Sequence, residues 1–254
     1  MDLGARLRTH PFGVRARLEQ SVVLTYAVPA IQLQALLPPP LRLDVAEATP
    51  ELGYVAVALV RARDLRPGSL PRVMGKSFFL AGYRVFVRYE DVRGRRLRGL
   101  YILGSATDSP IMARLGGLMT DYRYRVIDVE EDVRPGSYAV RSERGGLDVS
   151  VAWRAGGGAA EAALPEGSPF ADWRAARRFA GPLPFTFGYD ATRGRVIVVE
   201  GVREDWTPAP VSVWRSEVEY LRGGAFAGAR LAAAFRVQDV PYRWKAGYTE
   251  PWPR

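Results

Sequence analysis

Segments rich in β-branched and aromatic residues, separated by glycine and proline, recur along the sequence and constrain its fold more than any other feature. The run SVVLTYAV at 21–28 is typical of a buried strand, and GYVAVALVRARDL at 53–65 begins apolar and then alternates with arginine. Two more strands are predicted near 77–90 and 96–104, and the glycine-containing segment 90–95 between them indicates a hairpin. No regular alternation of strand and helix accompanies them, which argues against a parallel α/β sheet.

Short helices interrupt the strands. Asp108 and Ser109 are suited to begin one of them, because both residue types accept hydrogen bonds from the free N–H groups of a first helical turn. Another helix is predicted over 168–181, with Ser168 at its start and Gly181 past its end. These helices are too few and too short to dominate the fold.

The remaining segments complete a mainly β prediction. Further strands are predicted near 121–130, 136–143 and 146–154, and the segment 225–237 fits either a helix or a strand. With about ten to twelve strands and three or four short helices, the sequence predicts a mainly β (α+β) fold. We expect one antiparallel sheet system, partly closed, with helices at one end, in a single domain over residues 1–254.

Residue counts exclude several kinds of chemistry. The chain has no cysteine and one histidine, His10, which precedes a proline and is predicted to be a terminal surface residue. Catalytic triads and zinc sites built from histidine and cysteine therefore lack their usual groups, and we predict no metal and no cofactor. The start of the chain shows no apolar signal segment, and no run is long enough to cross a membrane, so we expect a cytoplasmic protein with no membrane partner.

The net charge of +9 invites a nucleic-acid hypothesis, which the distribution of the charge does not support. Arginines are scattered singly along the strands, and no known nucleic-acid-binding motif accompanies them. Of the 36 basic residues only Lys76 and Lys245 are lysines, a skew that is more typical of codon preference than of phosphate binding. We therefore expect no nucleic-acid partner.

Three segments together resemble the acetoacetate decarboxylase-like superfamily, and within it the uncharacterised YqjF-like group, DUF2071. They are VVLTYAVPAIQLQALLPPPLRLDV, ARLGGLMTDYRYRVIDV and PLPFTFGYDATRGRVIVVEGVREDWTPAPVSV, which occur in the family order over roughly residues 20–220. The resemblance implies a β-cone, or a partly closed antiparallel barrel, around a small enclosed cavity. It also leaves open a homo-oligomer, which is common in this superfamily.

The resemblance implies a catalytic site that this chain does not reproduce. Decarboxylases of the superfamily form a Schiff base through a lysine whose pKa is lowered by a second, adjacent lysine. That pair falls on Ala113 and Arg114 here. A methyl group has no nucleophile and a guanidinium cannot present a free amine, so the sequence predicts no Schiff base at this position.

Five residues are the candidates for a site. Lys76 is a retained lysine in an arginine-rich chain, and it is the candidate for a relocated nucleophile, acid or base. Tyr83, Tyr122 and Tyr189 lie on predicted strands, where inward rings would give a cavity apolar walls and hydroxyl groups. Three interpretations of Arg114 stay open: a solvated helix residue, an ion pair with Asp108 or Asp121, or a group that holds a ligand carboxylate.

The leading hypothesis is a protein that binds a small carbonyl- or carboxylate-bearing molecule in a central cavity, without the Schiff-base lysine. Whether the protein is an enzyme stays undecided at this point. One alternative is a lyase or hydrolase of a biosynthetic pathway that uses Lys76. The other is a non-catalytic structural or interaction protein whose barrel is filled by side chains.

Overall fold

The computed structural model describes residues 8–153, 164–181 and 183–252, which form fifteen strands and three α-helices. The helices are α1 (Ala30–Gln34), α2 (Pro110–Met119) and α3 (Trp173–Ala180). The strands are β1 (Val14–Pro29), β2 (Arg42–Leu43), β3 (Leu52–Pro67), β4 (Lys76–Glu90), β5 (Arg96–Thr107), β6 (Tyr124–Val126), β7 (Glu130–Arg134), β8 (Ser137–Ser142), β9 (Leu147–Ala152), β10 (Phe185–Asp190), β11 (Arg195–Arg203), β12 (Ala209–Pro210), β13 (Ser212–Val218), β14 (Arg230–Trp244) and β15 (Tyr248–Pro251). The mainly β prediction is confirmed.

Seven strands close into a ring in the order β14-β1-β3-β4-β5-β10-β11, because β11 pairs both with β10 and with β14. The closing pairs are Gly201 with Trp244, Val202 with Arg243 and Arg203 with Tyr242. Antiparallel pairing holds around the ring except between β5 and β10, which are parallel, and β6 is also parallel to β5. The predicted antiparallel, partly closed sheet system therefore includes two parallel pairs, because their connections are long and only tertiary contacts set the strand direction.

A second sheet packs against one face of the ring. Its strand order is β13-β9-β8-β7. The single strand predicted at 121–130 is therefore divided, because β6 belongs to the sheet of the ring and β7 belongs to this second sheet. One buried cluster joins this sheet to the ring, with Val57 and Val85 on one side and Val140 and Val149 on the other. We call the opposite face of the ring strands, which carries Ala56 and Phe235, the inner face.

Local signals explain the helix boundaries. Ser109 caps α2 as predicted, since its Oγ accepts a hydrogen bond from the Met112 N–H at 3.2 Å. The start predicted for α3 was wrong, because Asp172 rather than Ser168 is the N-cap residue, while Gly181 does follow its last turn. The segment left open at 225–237 belongs largely to β14.

Candidate functional site

An arginine without a partner lies on the inner face of the ring. Arg84 is on β4, where it pairs in register with Ala56 of β3 and Ile102 of β5. Its side chain runs back over Gly82, where a Cβ atom would lie only 2.9 Å from the Arg84 Nε. Within the described residues no hydrogen bond or ion pair reaches the Arg84 side chain, and its Nε is shielded from solvent. Burial lowers the pKa of Arg84, yet a guanidinium stays charged at any working pH.

Residues from distant parts of the ring surround this guanidinium. Arg203 on β11, Tyr242 on β14, and Tyr122 and Tyr124 after α2 all act electrostatically on Arg84. Because β4 pairs with neither β11 nor β14, these groups can meet Arg84 only across the interior of the ring. The inner face therefore encloses a polar centre.

Arg203 is the second cation of this centre. Its Nη1 donates a hydrogen bond to the Tyr242 Oη at 3.0 Å, and its guanidinium lies 5.1 Å from the centre of the Trp206 ring. Burial lowers the pKa of Arg203, and no carboxylate contributes to that shift. Within the described residues, the Arg203 guanidinium therefore has a phenol and an indole as neighbours and no acidic hydrogen-bond partner.

The neighbouring phenols do not supply the missing negative charge. Burial raises the pKa of Tyr124 to about 12 and also raises the pKa of Tyr122. Both side chains are therefore neutral at physiological pH and offer hydroxyl groups as hydrogen-bond donors and acceptors. Two charges and at least two neutral hydroxyls make this centre suited to an anion.

Small residues form the wall beside Arg84. Ala56 of β3 pairs with both Arg84 and Thr25, and Thr25 pairs with Ala233 of β14. The Thr25 Oγ1 is buried without a hydrogen-bond partner, as is rare for buried hydroxyl groups in proteins. All three residues are buried, so this stretch of wall is closely packed around the unsatisfied hydroxyl.

Tyr122 connects the polar centre to a narrow cleft at one mouth of the ring. The cleft is lined by residues of the N-terminal segment, β5, the end of α2, β10 and β11: Arg8, His10, Tyr101, Ile102, Thr120, Asp121, Tyr122, Phe187, Gly188, Tyr189, Ile197 and Val199. Its open volume is about 20 Å³, enough for little more than one water molecule. A larger ligand enters only if Tyr122 or the N-terminal segment moves.

The N-terminal segment is held across this mouth by its backbone. The His10 N–H donates to the Met119 carbonyl at 3.1 Å, and the His10 carbonyl accepts from the Gly247 N–H at 2.8 Å. His10 has a φ of 59°, in the left-handed region, and burial lowers its pKa. The prediction of a terminal surface residue was wrong for His10, because a backbone bridge that no local pattern reveals draws it into the cleft.

The structure places the five predicted site residues in three different surroundings. Tyr122 and Tyr189 line the cleft. Tyr83 points away from it, toward the second sheet, and stacks on Tyr220 with 3.8 Å between ring centres. Lys76 and Arg114 are both exposed on the surface.

Arg114 makes no ion pair within the described residues. Asp108, one of its predicted partners, instead accepts a hydrogen bond from Arg61 at 3.0 Å and another from the Phe79 N–H at 2.8 Å. Asp121, the other predicted partner, lines the cleft mouth and is exposed. The position of Arg114 fits the interpretation of a solvated helix residue.

Sequence reasoning missed Arg84, Arg203 and Tyr242. A signal existed for the first, since the alternation in FLAGYRVFVRYE places Arg84 on the same strand face as Gly82 and Phe86. A lone charge between a glycine and a phenylalanine on one strand face indicates a buried polar group. No local signal indicates that β11 and β14 bring their residues to the same place.

Two further features of the described residues concern membrane-spanning helices and metal-binding clusters. They contain no helix that is long and apolar enough to cross a membrane. Nor do they contain a cluster of three or more side chains of the histidine, cysteine, aspartate and glutamate types that could hold a metal ion.

Comparisons with known proteins agree with this architecture. The sequence model of DUF2071, described as an uncharacterized conserved protein family (COG2071), matches residues 15–241. No curated protein matches the chain.

Similar solved structures include an acetoacetate decarboxylase-like enzyme from Sphingomonas wittichii RW1, with a TM-score of 0.57 and 15% identity over 95% of this chain and 93% of that one. The acetoacetate decarboxylase from Legionella pneumophila has a TM-score of 0.58 and 12% identity over 93% of this chain and 87% of that one. The enduracididine biosynthesis enzyme MppR, complexed with pyruvate, has a TM-score of 0.50 and 12% identity over 94% and 88%. At these identities the likeness shows a shared fold.

Proposed function

The chain belongs to the DUF2071 family of uncharacterized conserved proteins, and we propose that it binds a small carboxylate-bearing molecule inside the ring, with Arg84 as the group that holds the carboxylate. The observation that carries this proposal is the half-buried Arg84 side chain, whose Nε is shielded from solvent and which has no acidic partner within the described residues. A buried charge without a counter-ion is strongly unfavourable, so an anion supplied by a ligand would offset a cost that the folded chain otherwise bears. Arginine also matches a carboxylate with two parallel hydrogen bonds.

The proposal is that the ligand binds without forming an imine with a lysine of the protein. Positions 113 and 114, where the resemblance places the lysine pair, are an alanine and an arginine on α2. The chain has two lysines: Lys76 is exposed, and the Lys245 Nζ is paired with Glu200 at 2.8 Å. Neither lysine lines the cleft, so the available amines are poorly placed to reach a ligand held by Arg84.

One of the similar structures supports the class of ligand. MppR was solved with pyruvate, a small molecule that carries both a carbonyl and a carboxylate. A ligand of this class would meet Arg84 through its carboxylate and the hydroxyl of Tyr122 through its carbonyl oxygen. Arg84, on the inner face of the ring, gives a chemical reason for such a molecule to bind there.

Calorimetric titration with pyruvate, acetoacetate, acetate and malonate tests the proposal. We expect at least one of these carboxylates to bind the wild-type protein. We expect Arg84→Met to lower its affinity by about tenfold or more, because a charge-assisted pair is lost. Arg114→Met is the matched control: it removes the same charge from an exposed position and should leave the affinity unchanged.

The opposite pattern, with loss of affinity in the Arg114→Met variant and none in the Arg84→Met variant, would contradict the proposal. It would support the interpretation of Arg114 as the carboxylate-holding group.

A second candidate function is favoured by the small size of the cleft. An open volume of about 20 Å³ is what a ring filled by its own side chains would leave, as in a non-catalytic structural protein. If this candidate is right, none of the four carboxylates changes the melting temperature of the wild-type protein, even at millimolar concentration.

A further inference from the structure

We propose that a surface pocket at one end of β4 binds an aromatic carboxylate, with Arg42 holding the carboxylate and Trp252 packing against the aromatic group. The pocket has a volume of about 590 Å³, which is within the usual size of small-molecule sites. We call it the edge pocket, and its lining includes Pro40, Arg42, Arg88, Glu90, Arg96 and Trp252. It shares no residue with the cleft near His10, so the proposal does not rest on the proposed function.

A row of three arginines crosses the sheet beside the edge pocket. Arg42 of β2 lies directly opposite Arg88 of β4, and Arg88 lies directly opposite Arg98 of β5. Side chains that are directly opposite on paired strands share a face of the sheet, and like charges in such positions repel each other. One carboxylate, that of Asp44, pairs with Arg88 and Arg98 but not with Arg42. The row therefore keeps a positive charge that an anion in the pocket would offset.

The Arg42 side chain is held in place and keeps unused donors. Its Nη1 donates hydrogen bonds to the Pro39 carbonyl at 3.0 Å and to the Leu41 carbonyl at 3.4 Å. Both acceptors are neutral, and no acidic side chain among the described residues pairs with Arg42. The Nε and Nη2 donors face water in the absence of a ligand, since Arg42 is exposed, and they can form two parallel hydrogen bonds with a carboxylate.

The acidic side chains of the lining do not cancel this charge. Asp91 is already occupied: its carboxylate accepts from the Arg93 and Arg95 N–H groups at 2.9 and 2.8 Å and from the Arg95 Nε at 2.6 Å. Glu90 is exposed and lies directly opposite Arg96, which offsets its charge. Glu90 is thus the acidic group of the lining that would oppose an anion, and removing its charge should favour binding.

The walls of the edge pocket are apolar and fixed before any ligand binds. Trp252 is half-buried against the core, and its backbone N–H donates to the Gly194 carbonyl at 2.8 Å. The Tyr89 hydroxyl donates to the buried Glu250 carboxylate at 2.8 Å, and the same carboxylate accepts from the Val92 N–H at 3.2 Å. An indole and a phenol ring beside guanidinium groups suit a flat, apolar molecule that carries a negative charge.

The compounds 2-naphthoate and 2-naphthamide test the proposal, because they share one aromatic body and differ by one charge at pH 7.5. In calorimetric titrations at low salt, we expect naphthoate to bind the wild-type protein about fivefold more tightly than naphthamide. Arg42→Gln should remove this preference and leave the affinity for naphthamide unchanged. Arg114→Gln, which removes an exposed arginine elsewhere, is the matched control and should keep the wild-type preference.

Two further variants separate the charge from the apolar wall. Glu90→Gln should raise the affinity for naphthoate about twofold and leave that for naphthamide unchanged, because it removes a repelling charge. Trp252→Ala should lower both affinities by the same factor, about fivefold or more, because both compounds lose the same aromatic contact. These two variants also decide the question if Arg42→Gln does not fold.

Three results would overturn the proposal. One is the absence of naphthoate binding to the wild-type protein, and another is equal affinity for naphthoate and naphthamide. The third is an affinity for naphthoate that falls in the Arg84→Met variant and stays unchanged in Arg42→Gln, which would place the carboxylate inside the ring. The proposed function is tested by the smaller carboxylates and by Arg84→Met, so each proposal can fail without the other.

Discussion

Two arginines on β4, four residues apart, have opposite surroundings. Arg88 forms an ion pair with Asp44, a carboxylate that is fully buried, and Arg98 reaches the same carboxylate at 2.6 Å. Arg84, on the same strand, lacks any acidic partner in the described part of the chain. One strand therefore carries both a satisfied charge and an unsatisfied one, although the two residues are of the same type.

The satisfied cluster has a structural role. Asp44 follows β2, its backbone N–H donates to the Phe86 carbonyl at 3.0 Å, and its carboxylate joins β4 to β5 through Arg88 and Arg98. All the groups in this network have partners, as buried polar networks need in order to stabilise a fold. The contrast supports the proposal that Arg84 takes its partner from a ligand.

The largest effect is expected from the satisfied cluster. Asp44→Asn removes the negative charge between two arginines, and we expect the free energy of unfolding in urea to fall by about 2 kcal/mol. Because the side chains of Arg88 and Arg98 are 46% and 39% exposed, water compensates for part of the loss. Asp239→Asn, which breaks an exposed pair with Arg17, should have a much smaller effect, because water and salt screen that pair.

The two strands that carry Arg88 and Arg98 could be predicted from sequence, but neither the ion pairs of Asp44 nor the polar centre could. The hairpin of β4 and β5 follows from two strand patterns around a glycine-containing turn, and the cap at Ser109 follows from its residue type. The pairing of β11 with β14, which brings Arg203 against Tyr242, depends on contacts between distant segments. Sequence periodicity gives the face on which a residue lies, but it does not give the partner that the residue finds there.

Alkaline pH should destabilise the folded protein through Tyr124, a residue of the polar centre. The native state holds the Tyr124 proton more tightly than the unfolded chain, since the pKa rises from 10 to about 12. The free energy of unfolding should therefore be unaffected by this group below pH 10 and fall by at most about 1.4 kcal/mol per pH unit between pH 10 and 12.

The Tyr124→Phe variant isolates this effect. Above pH 10, the free energy of unfolding measured in urea should decline less steeply for the variant than for the wild-type protein. Some decline should remain in the variant, because it keeps Tyr26, whose pKa is also raised to about 12. Parallel curves for the two proteins would mean that Tyr124 titrates in the native state as it does in water. Measurements between pH 6 and 9, where both phenols are protonated, provide the baseline.

The same substitution at the two arginines of β4 should have effects of opposite sign. Arg84→Met replaces an unpaired charge by an apolar chain, and we expect the free energy of unfolding to rise by about 1 kcal/mol in the absence of ligand. Arg88→Met removes a partner of Asp44 and should lower the free energy of unfolding by about 1 kcal/mol. A decrease for both variants would show that Arg84 has a stabilising partner after all.

The smallest effects are expected at the two exposed basic candidates. Lys76→Ala and Arg114→Ala should each change the free energy of unfolding by less than about 0.5 kcal/mol, as is usual for surface substitutions. Borohydride treatment in the presence of pyruvate or acetoacetate should attach no substrate carbon to the protein, as judged by mass spectrometry. Labelling at Lys76 would instead support a lyase that uses a relocated nucleophile.

A crystal structure of the protein grown with saturating malonate tests the central claim most directly. We predict a carboxylate within about 3 Å of the Arg84 guanidinium, inside the ring, with the Tyr122 side chain moved to admit it. An Arg84 side chain that still lacks a partner at that concentration, or malonate bound only outside the ring, would contradict the account.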